Sequence, residues 1–270
     1  MRLDKALVEA GLVKTRSQAL QHIQFGHVRY FEKVITKPSF QVQDLEGLEL
    51  SGDIYVGRGA QKLLKALEDF PLSLKNCVAA DVGASTGGFT EVLLNNGIQK
   101  VYAIDVGHDQ LAPKLKEDER VVNFEGSHIR SFATGEKALP ENVDIVVADL
   151  SFISLKSCLE GMISLLKPQA ELVTLVKPQF EVGKEGVGRG GIVRDSQKHF
   201  ECLVDLAEEF SHRGFHLLAA TVSPITGKAG NREYLFYLRR FGGNDTLPLL
   251  ISRQELWDLT QQNAKMRGQK

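Results

Sequence analysis

Two hundred and seventy residues, 43% hydrophobic and 25% charged with 25 Gly and 8 Pro, have the composition of a folded globular chain and exclude collagen-like, low-complexity and wholly disordered classes. The length fits a small module joined to a medium domain. Three cysteines, Cys77, Cys158 and Cys202, are widely spaced without a C-x-x-C pair, so no disulfide framework, zinc site or other metal set is expected. The net charge is −1, yet residues 1–40 hold seven bases against three acids, and residues 41–53 hold four acids and no base. A basic head on a near-neutral body is an electrostatic footprint for a polyanion. The opening Met1-Arg2-Leu3-Asp4-Lys5 has no apolar leader, and no apolar run approaches the roughly 20 residues of a spanning helix. The expectation is a cytoplasmic protein without stable membrane insertion.

In chain order, Leu3, Leu7, Val8 and Leu12 fall at helical spacing, with Gly11 as a stop. Thr15 or Ser17 can cap a second helix carrying Ala19, Leu20 and Ile23, ended by Gly26. His27 to Tyr30, then Val34 and Ile35, read as short strands, followed by a turn at Lys37-Pro38-Ser39 before Phe40 and Val42. The head is therefore two helices and a small β-cluster over residues 1–52, with a connection over 53–59 and a new helix near Ala60. The body, 60–243, alternates strands and helices: strands at Val78–Val82, Val101–Asp105, Val121–Phe124, Val143–Ala148 and Glu171–Val176, with helices at Gly87–Asn95, Asp109–Lys116 and Ser154–Leu166. A long helix, Ser196–Arg213, precedes strands at Phe215–Ser223 and Arg232–Arg239. The pattern is α/β with a mainly parallel, doubly wound sheet. The last two strands, joined only by a loop, should pair antiparallel at one edge. A tail over 244–270 holds Thr246-Leu247-Pro248 and a short helix around Gln254–Asn263.

The first strand runs into Asp81-Val82-Gly83-Ala84-Ser85-Thr86-Gly87-Gly88-Phe89-Thr90. Glycines at a strand-to-helix turn let a ligand approach the backbone, and the helix start offers free N–H groups. Ser85 stands where a nicotinamide fingerprint needs its second glycine, and the acid before the glycines suits a ligand with a cationic end. Asp105, 18 residues after Gly87 at the end of the next strand, is placed to hold ribose hydroxyls. A second set has four polar residues in apolar settings. Asp149 ends one strand and Lys177 the next, Glu233 opens the last, and Lys62 lies on the helix after the connection. Ligands of open α/β sheets sit at the carboxyl ends of parallel strands. The four are compatible with a catalytic cluster there or with a structural ion-pair network.

The glycine loop resembles the D/E-x-G-x-G-x-G loop of class I S-adenosylmethionine methyltransferases, with Ser85 for the middle glycine. The Lys-Asp-Lys-Glu set resembles that of FtsJ-type ribose 2′-O-methyltransferases, and Arg58 and Lys62 fit their S-R-x-x-x-K-L motif with Gly57 in place of serine. Arg2-Leu3-Asp4, Gly11-Leu12, Thr15-Arg16, Ala19, Ile23, Gly26 and Val28 resemble the S-four-type RNA-binding module, whose V-x-V-N-G is replaced by Val28-Arg29-Tyr30-Phe31-Glu32. Head and body together, with Asp149-Leu150-Ser151-Phe152-Ile153-Ser154 and Lys177-Pro178-Gln179-Phe180-Glu181, are similar to the TlyA family, whose members are described as hemolysins and as rRNA 2′-O-methyltransferases.

The resemblance implies a class I fold with a seven-stranded sheet and an antiparallel edge strand, S-adenosylmethionine as cofactor, and ribosomal RNA or ribosomal subunits as partner, with cytidine the expected nucleotide. It implies a catalytic set of Lys62, Asp149, Lys177 and Glu233, with Lys177 as base. Cofactor contacts are expected from Asp81, Gly83, Ser85, Thr86, Gly87, Gly88, Phe89, Asp105, Val106, His128 and Asp149. RNA contacts are expected from Arg2, Lys5, Arg16, His22, Lys37, Arg58, Lys184 and Arg189, the last two on a glycine-rich stretch, 182–191, that reads as a flap or a plain surface loop. Two other classes compete: a membrane-active hemolysin, and an RNA-binding regulator with a silent methyltransferase body.

Overall fold

A computed structural model describes residues 1–52, 55–241 and 251–262. Residues 53–54 of the expected connection, the Thr246-Leu247-Pro248 segment and Asn263 lie outside the described residues. The chain divides into two compact units, Met1–Gln61 and the residues from Lys62 onward.

In the first unit, α1 (Leu3–Glu9) and α2 (Arg16–Gln24) pack beside a sheet of β1 (Val28–Tyr30), β2 (Lys33–Val34) and β3 (Leu48–Leu50) in the order β2-β1-β3. Thr15 caps α2. Its side chain accepts from the Gln18 N–H while the Gln18 side chain accepts from the Thr15 N–H, so two otherwise orphaned donors are satisfied. Leu3, Leu7, Ala19, Ile23, Val28, Val42 and Leu48 form the core. Sequence periodicity misses β3, a three-residue strand inside the acidic stretch. It exists because β1 offers it a full antiparallel register, from Val28 opposite Leu50 to Tyr30 opposite Leu48.

The second unit opens on α3 (Ala60–Asp69), of which it holds Lys62 onward. Then follow β4 (Val78–Val82), α4 (Gly88–Asn95), β5 (Lys100–Ile104), α5 (Pro113–Lys116), β6 (Val121–Phe124), α6 (Arg130–Ala133) and β7 (Val143–Ala148). A 3₁₀ turn at Leu155–Cys158 leads into α7 (Leu159–Leu165) and β8 (Leu166–Val176), then the short α8 (Pro178–Glu181) and α9 (Gly183–Gly186). The long α10 (Ser196–His212), β9 (Phe215–Val222), β10 (Tyr234–Arg240) and α11 (Arg253–Gln261) complete it. The seven-stranded sheet runs β6-β5-β4-β7-β8-β10-β9. Five strands are parallel, and β10 is antiparallel to both β8 and β9. The expected antiparallel pairing is present, and the strand that makes it is inserted beside the edge strand β9.

Two helices depart from the pattern. The one expected over Asp109–Lys116 shortens to α5. Asp109 lies in the left-handed region at φ 53°, and the N–H groups of Gln110 and Leu111 bond the Glu125 carboxylate instead of helical carbonyls. The one expected over Ser154–Leu166 begins as the 3₁₀ turn. Five strands, β4 to β8, present their carboxyl ends on one side, and the strand order reverses between β4 and β7, which is where open α/β sheets bind ligands.

The packing of α7 generates a stability prediction. A Cβ at Gly161 would overlap the backbone carbonyl of Ile129. Helix propensity alone favours Ala over Gly by about 1 kcal/mol, whereas forced overpacking costs about 1–3 kcal/mol. Backbone cannot yield as a side chain does, so Gly161→Ala is expected to lower stability in urea denaturation. A gain in stability would mean that α7 moves freely on Ile129.

Candidate active site

The loop after β4 is built around buried charge. Asp81 is fully buried and accepts a 2.6 Å hydrogen bond from Thr90 Oγ1 on α4. Its other oxygen, Oδ1, has no partner. Burial pushes this carboxyl up to about 7 against the pull of Thr90, with Asp149 and Asp105 adding like-charge repulsion. Gly83 follows at φ 87°, and a Cβ there would sit 2.7 Å from the Asp149 carbonyl oxygen, so only glycine allows the β4 and β7 ends to approach this closely. Ser85 takes the left-handed conformation, φ 50°, that the missing middle glycine would adopt without strain. The Asp105 carboxylate fixes the loop, accepting from Ser85 N at 2.8 Å and from Gly107 N at 2.7 Å. A carboxylate has about four lone-pair sites, so Asp105 keeps acceptor capacity for hydroxyls.

The four charged residues meet. Asp149, directly after β7, is shared by two lysines: Lys62 Nζ lies 3.1 Å from Oδ2 and Lys177 Nζ 2.5 Å from Oδ1. Glu233 Oε2, just before β10, lies 2.7 Å from Lys62 Nζ. Lys177 Nζ also donates to Ser151 Oγ at 2.8 Å. The lysine and glutamate side chains are at most 7% exposed and Asp149 is 19% exposed, so the cluster is nearly dry, with Asp149 its most exposed member. Burial pulls Lys62 down, but Asp149 and Glu233 outweigh it and hold the ammonium above its usual range. Burial likewise opposes the Asp149 charge, and the two lysines reverse that, leaving it below the ordinary carboxylate range.

Three supporting groups have roles that the sequence does not assign, although Ser151 and Glu181 stand within its motifs. Ser151 orients Lys177. Glu181 accepts from Ser154 Oγ at 2.6 Å and from Leu155 N at 2.8 Å, clasping the segment after β7 to the segment after β8. Asn231, buried at the mouth of β10, donates to Gly191 O at 2.7 Å and accepts from Val193 N at 3.0 Å. It thereby ties the end of the glycine-rich stretch to the strand that carries Glu233. These bonds join segments far apart in sequence, and no local spacing announces them. Phe152, 91% exposed at φ 65°, packs against Phe180 at 5.3 Å between ring centroids beside the cluster.

The remaining expected residues divide by exposure. Thr86 and Val106 are exposed, Gly87 and Gly88 begin α4, and Phe89 is buried in the core and offers a ligand only its backbone. His128 Nδ1 accepts from Arg130 N at 3.1 Å, and burial followed by Arg130 pulls its pKa down. In the head unit, Arg2 and Arg16 both pair with Asp4, which is fully buried, at 3.0 and 2.6 Å, while their own side chains are 42% and 56% exposed. Lys5, Lys37, Arg58, Lys184 and Arg189 are exposed. His22 is a correction: it is buried, three residues from Ala19 on the inward face of α2, and its ring meets His27 at 5.6 Å instead of solvent.

Among the described residues no group of three or more His, Cys, Asp or Glu is placed to hold a metal, and no helix is long and apolar enough to cross a membrane.

A mixed sheet of this order, with a glycine loop after β4 and acids at the ends of β4 and β5, has the form of a class I methyltransferase. Comparison with known proteins agrees: residues 55–240 match the FtsJ-like methyltransferase family and residues 1–49 match the S4 domain. The chain is 43% identical over 241 residues to the 16S/23S rRNA (cytidine-2′-O)-methyltransferase TlyA of Mycobacterium tuberculosis, covering 88% of this chain and 89% of that one. It is 38% identical to Hemolysin A of Brachyspira hyodysenteriae, covering 87% and 98%. The solved structure of a hemolysin-type protein from Streptococcus thermophilus superimposes with a TM-score of 0.74 at 35% identity, covering 99% of this chain and 97% of that one. The chain belongs to the TlyA family of FtsJ-like methyltransferases. It is an enzyme of that class with an S4 domain at its head.

The buried Asp81 makes stability depend on pH. Between its ordinary value of 3.8 and about 7 the folded state keeps a proton that the unfolded chain has released. Its stabilising effect is therefore full below the unfolded value and is lost as pH rises through about 7. Asp81→Asn keeps an acceptor for Thr90 without the charge. Urea titrations should find it equal to wild type near pH 4 and more stable than wild type at pH 8. Equal stability at both pH values would assign Asp81 an ordinary ionisation.

Proposed function

We propose that this enzyme transfers a methyl group from S-adenosylmethionine to a ribose 2′-hydroxyl of ribosomal RNA, on a cytidine, in the cytoplasm, with free rRNA or a ribosomal subunit as substrate. The observation that carries the reading is the chain of buried charge from Glu233 through Lys62 and Asp149 to Lys177, at the carboxyl ends of β7 and β8. The cofactor fits the neighbouring loop. Asp81 offers an orphaned carboxyl oxygen for a cationic group, Gly83, Ser85 and Gly87 bring bare backbone forward, and Asp105 keeps acceptor sites for ribose hydroxyls. When bound, the cofactor supplies an electrophilic methyl on a sulfonium.

The chain's own residues must position a poor nucleophile and take its proton. Lys177 Nζ is ion-paired with Asp149 and hydrogen-bonded to Ser151 Oγ, and an amine with three hydrogen-bonding positions keeps capacity for the 2′-hydroxyl. Lys177 accepts the hydroxyl proton. Asp149 holds Lys177 in line, and Glu233 with Asp149 keeps Lys62 charged and fixed. Arg2, Lys5, Arg16, Lys37 and Arg58, with Lys184 and Arg189 on the glycine-rich stretch, supply phosphate contacts. In this reading RNA anchoring belongs to residues 1–52 and chemistry to 60–243.

Methyl transfer from tritiated cofactor to purified rRNA tests the reading. Lys177→Ala and Asp149→Asn should each remove most turnover, by 10²-fold or more on the scale of about 10²–10⁴ for general acid–base groups, with cofactor binding kept in Lys177→Ala. The double variant should be scarcely worse than either single one, because residues that act as a unit lose activity non-additively. Lys177→Arg should be nearly as damaging, since guanidinium cannot give up its proton to become a base. Near wild-type turnover in Lys177→Arg would reduce Lys177 to a positioning cation.

A further inference from the structure

The hairpin of the head unit contains a feature that its stability does not account for. Arg29 pairs with Val34 and Tyr30 with Lys33, which leaves Phe31 and Glu32 as a two-residue loop. Both lie in the left-handed region, at φ 46° and φ 66°. This is the geometry of a type I′ turn, for which Asn-Gly and Asp-Gly are strongly preferred because both central residues need positive φ. For a bulky side chain such a conformation is a genuine outlier, and strain of this kind persists only where the surroundings enforce it.

Here the surroundings enforce it. The Phe31 N–H donates to Gly47 O at 2.9 Å. The Phe31 ring lies so close over Gly47 that a Cβ there would sit 2.7 Å from it. The Tyr30 ring meets it edge-on at 4.7 Å, and Tyr30 is itself fixed against Phe40 at 5.7 Å and by a hydrogen bond accepted from Gln43 N at 3.2 Å. The ring is held from below and from one side, yet Phe31 remains 60% exposed. A phenylalanine that stays mostly in water gains little from burial, so the hairpin accepts backbone strain to present a fixed aromatic surface.

We propose that Phe31 is a stacking platform for an unpaired base of the RNA that the head binds. The inference rests on the RNA-binding reading of the head. Exposed Arg29, Lys33 and Lys37 surround the hairpin in sequence, within a segment whose local balance is four positive charges. Aromatic rings set among bases are how proteins take up single-stranded and looped RNA. Glu32, exposed beside the ring, repels a phosphate at this tip. A base presents an uncharged π-face and fits where a phosphate does not.

The test replaces the loop by the pair its geometry prefers. Phe31→Asn combined with Glu32→Gly, in the full-length chain, removes the ring and relieves the strain, so thermal unfolding should not fall. Filter binding to transcribed 16S and 23S rRNA is measured between 50 and 200 mM salt, roughly the range over which phosphate contacts declare themselves. The double variant should bind about 5- to 100-fold more weakly, the span of one base–aromatic stack, even though it has lost an acidic charge. The slope of log affinity against log salt should not change, because no phosphate contact is lost. Glu32→Gly alone should bind at least as tightly as wild type. Equal binding by wild type and the double variant overturns the inference, as does a slope reduced by about one, which marks a phosphate contact. If wild type itself binds neither rRNA, the RNA-binding reading of the head fails and the inference with it.

Discussion

One carboxylate shared between two buried lysines organises the body of this enzyme. Removing an ion from water costs several kcal/mol even after relaxation, and the cluster buries four. It is tolerable because the charges sum to zero and are laid out alternately, Glu233, Lys62, Asp149, Lys177. Deleting any member strands its neighbour, a loss of about 3–5 kcal/mol for a buried pair. The arrangement therefore constrains α3, the ends of β7 and β8, and the start of β10 at once.

The sheet topology is what lets those four elements meet. In a parallel sheet the strand beginnings lie at the end opposite the site. β10 runs the other way, so its first residue, Tyr234, pairs with Val176, the last residue of β8. Glu233 thus arrives beside Lys177 although one precedes a strand and the other follows one. Asn231, two residues earlier, uses the same position to hold Gly191 and Val193.

Much of this is legible in the sequence, for physical reasons that also mark where legibility stops. Val78–Val82 and Val143–Ala148 are short bounded runs rich in apolar residues, the pattern of parallel strands buried on both faces. Asp149, Lys177 and Glu233 stand out because a charge at the end of such a run needs a partner, in an ion-pair network or at a ligand site. Glu181, Ser151 and Asn231 do not stand out, since each acts by a bond to a segment distant in the chain. Asp109 and the Glu125 carboxylate that captures the N–H groups of Gln110 and Leu111 stop a helix that periodicity alone extends. In the head, the basic count is visible but its wiring is not. The buried Asp4 holds Arg2 and Arg16, and with five donors on each guanidinium that pairing leaves both able to meet phosphate. His22 carries the same nominal chemistry yet falls on the inward face of its helix.

The neutrality of the buried set also fits the proposed chemistry across the whole reaction. To receive the 2′-hydroxyl proton, Lys177 must begin neutral, and the set of four then carries one net negative charge. That charge would stand at the strand ends beside the loop proposed to hold a cationic donor, and would offset the donor's sulfonium charge. In the proposed transfer the hydroxyl proton goes to Lys177 Nζ, so the set of four would return to zero net charge. Within a pocket this dry, a reaction that began or ended with an uncompensated ion would have to supply its desolvation. Two lysines against two acids, with one lysine hydrogen-bonded to Ser151, avoid that at both ends. The lysines differ in their partners: Lys62 is pinned by two carboxylates, whereas Lys177 meets only Asp149 and a neutral hydroxyl, which suits the base role proposed for Lys177.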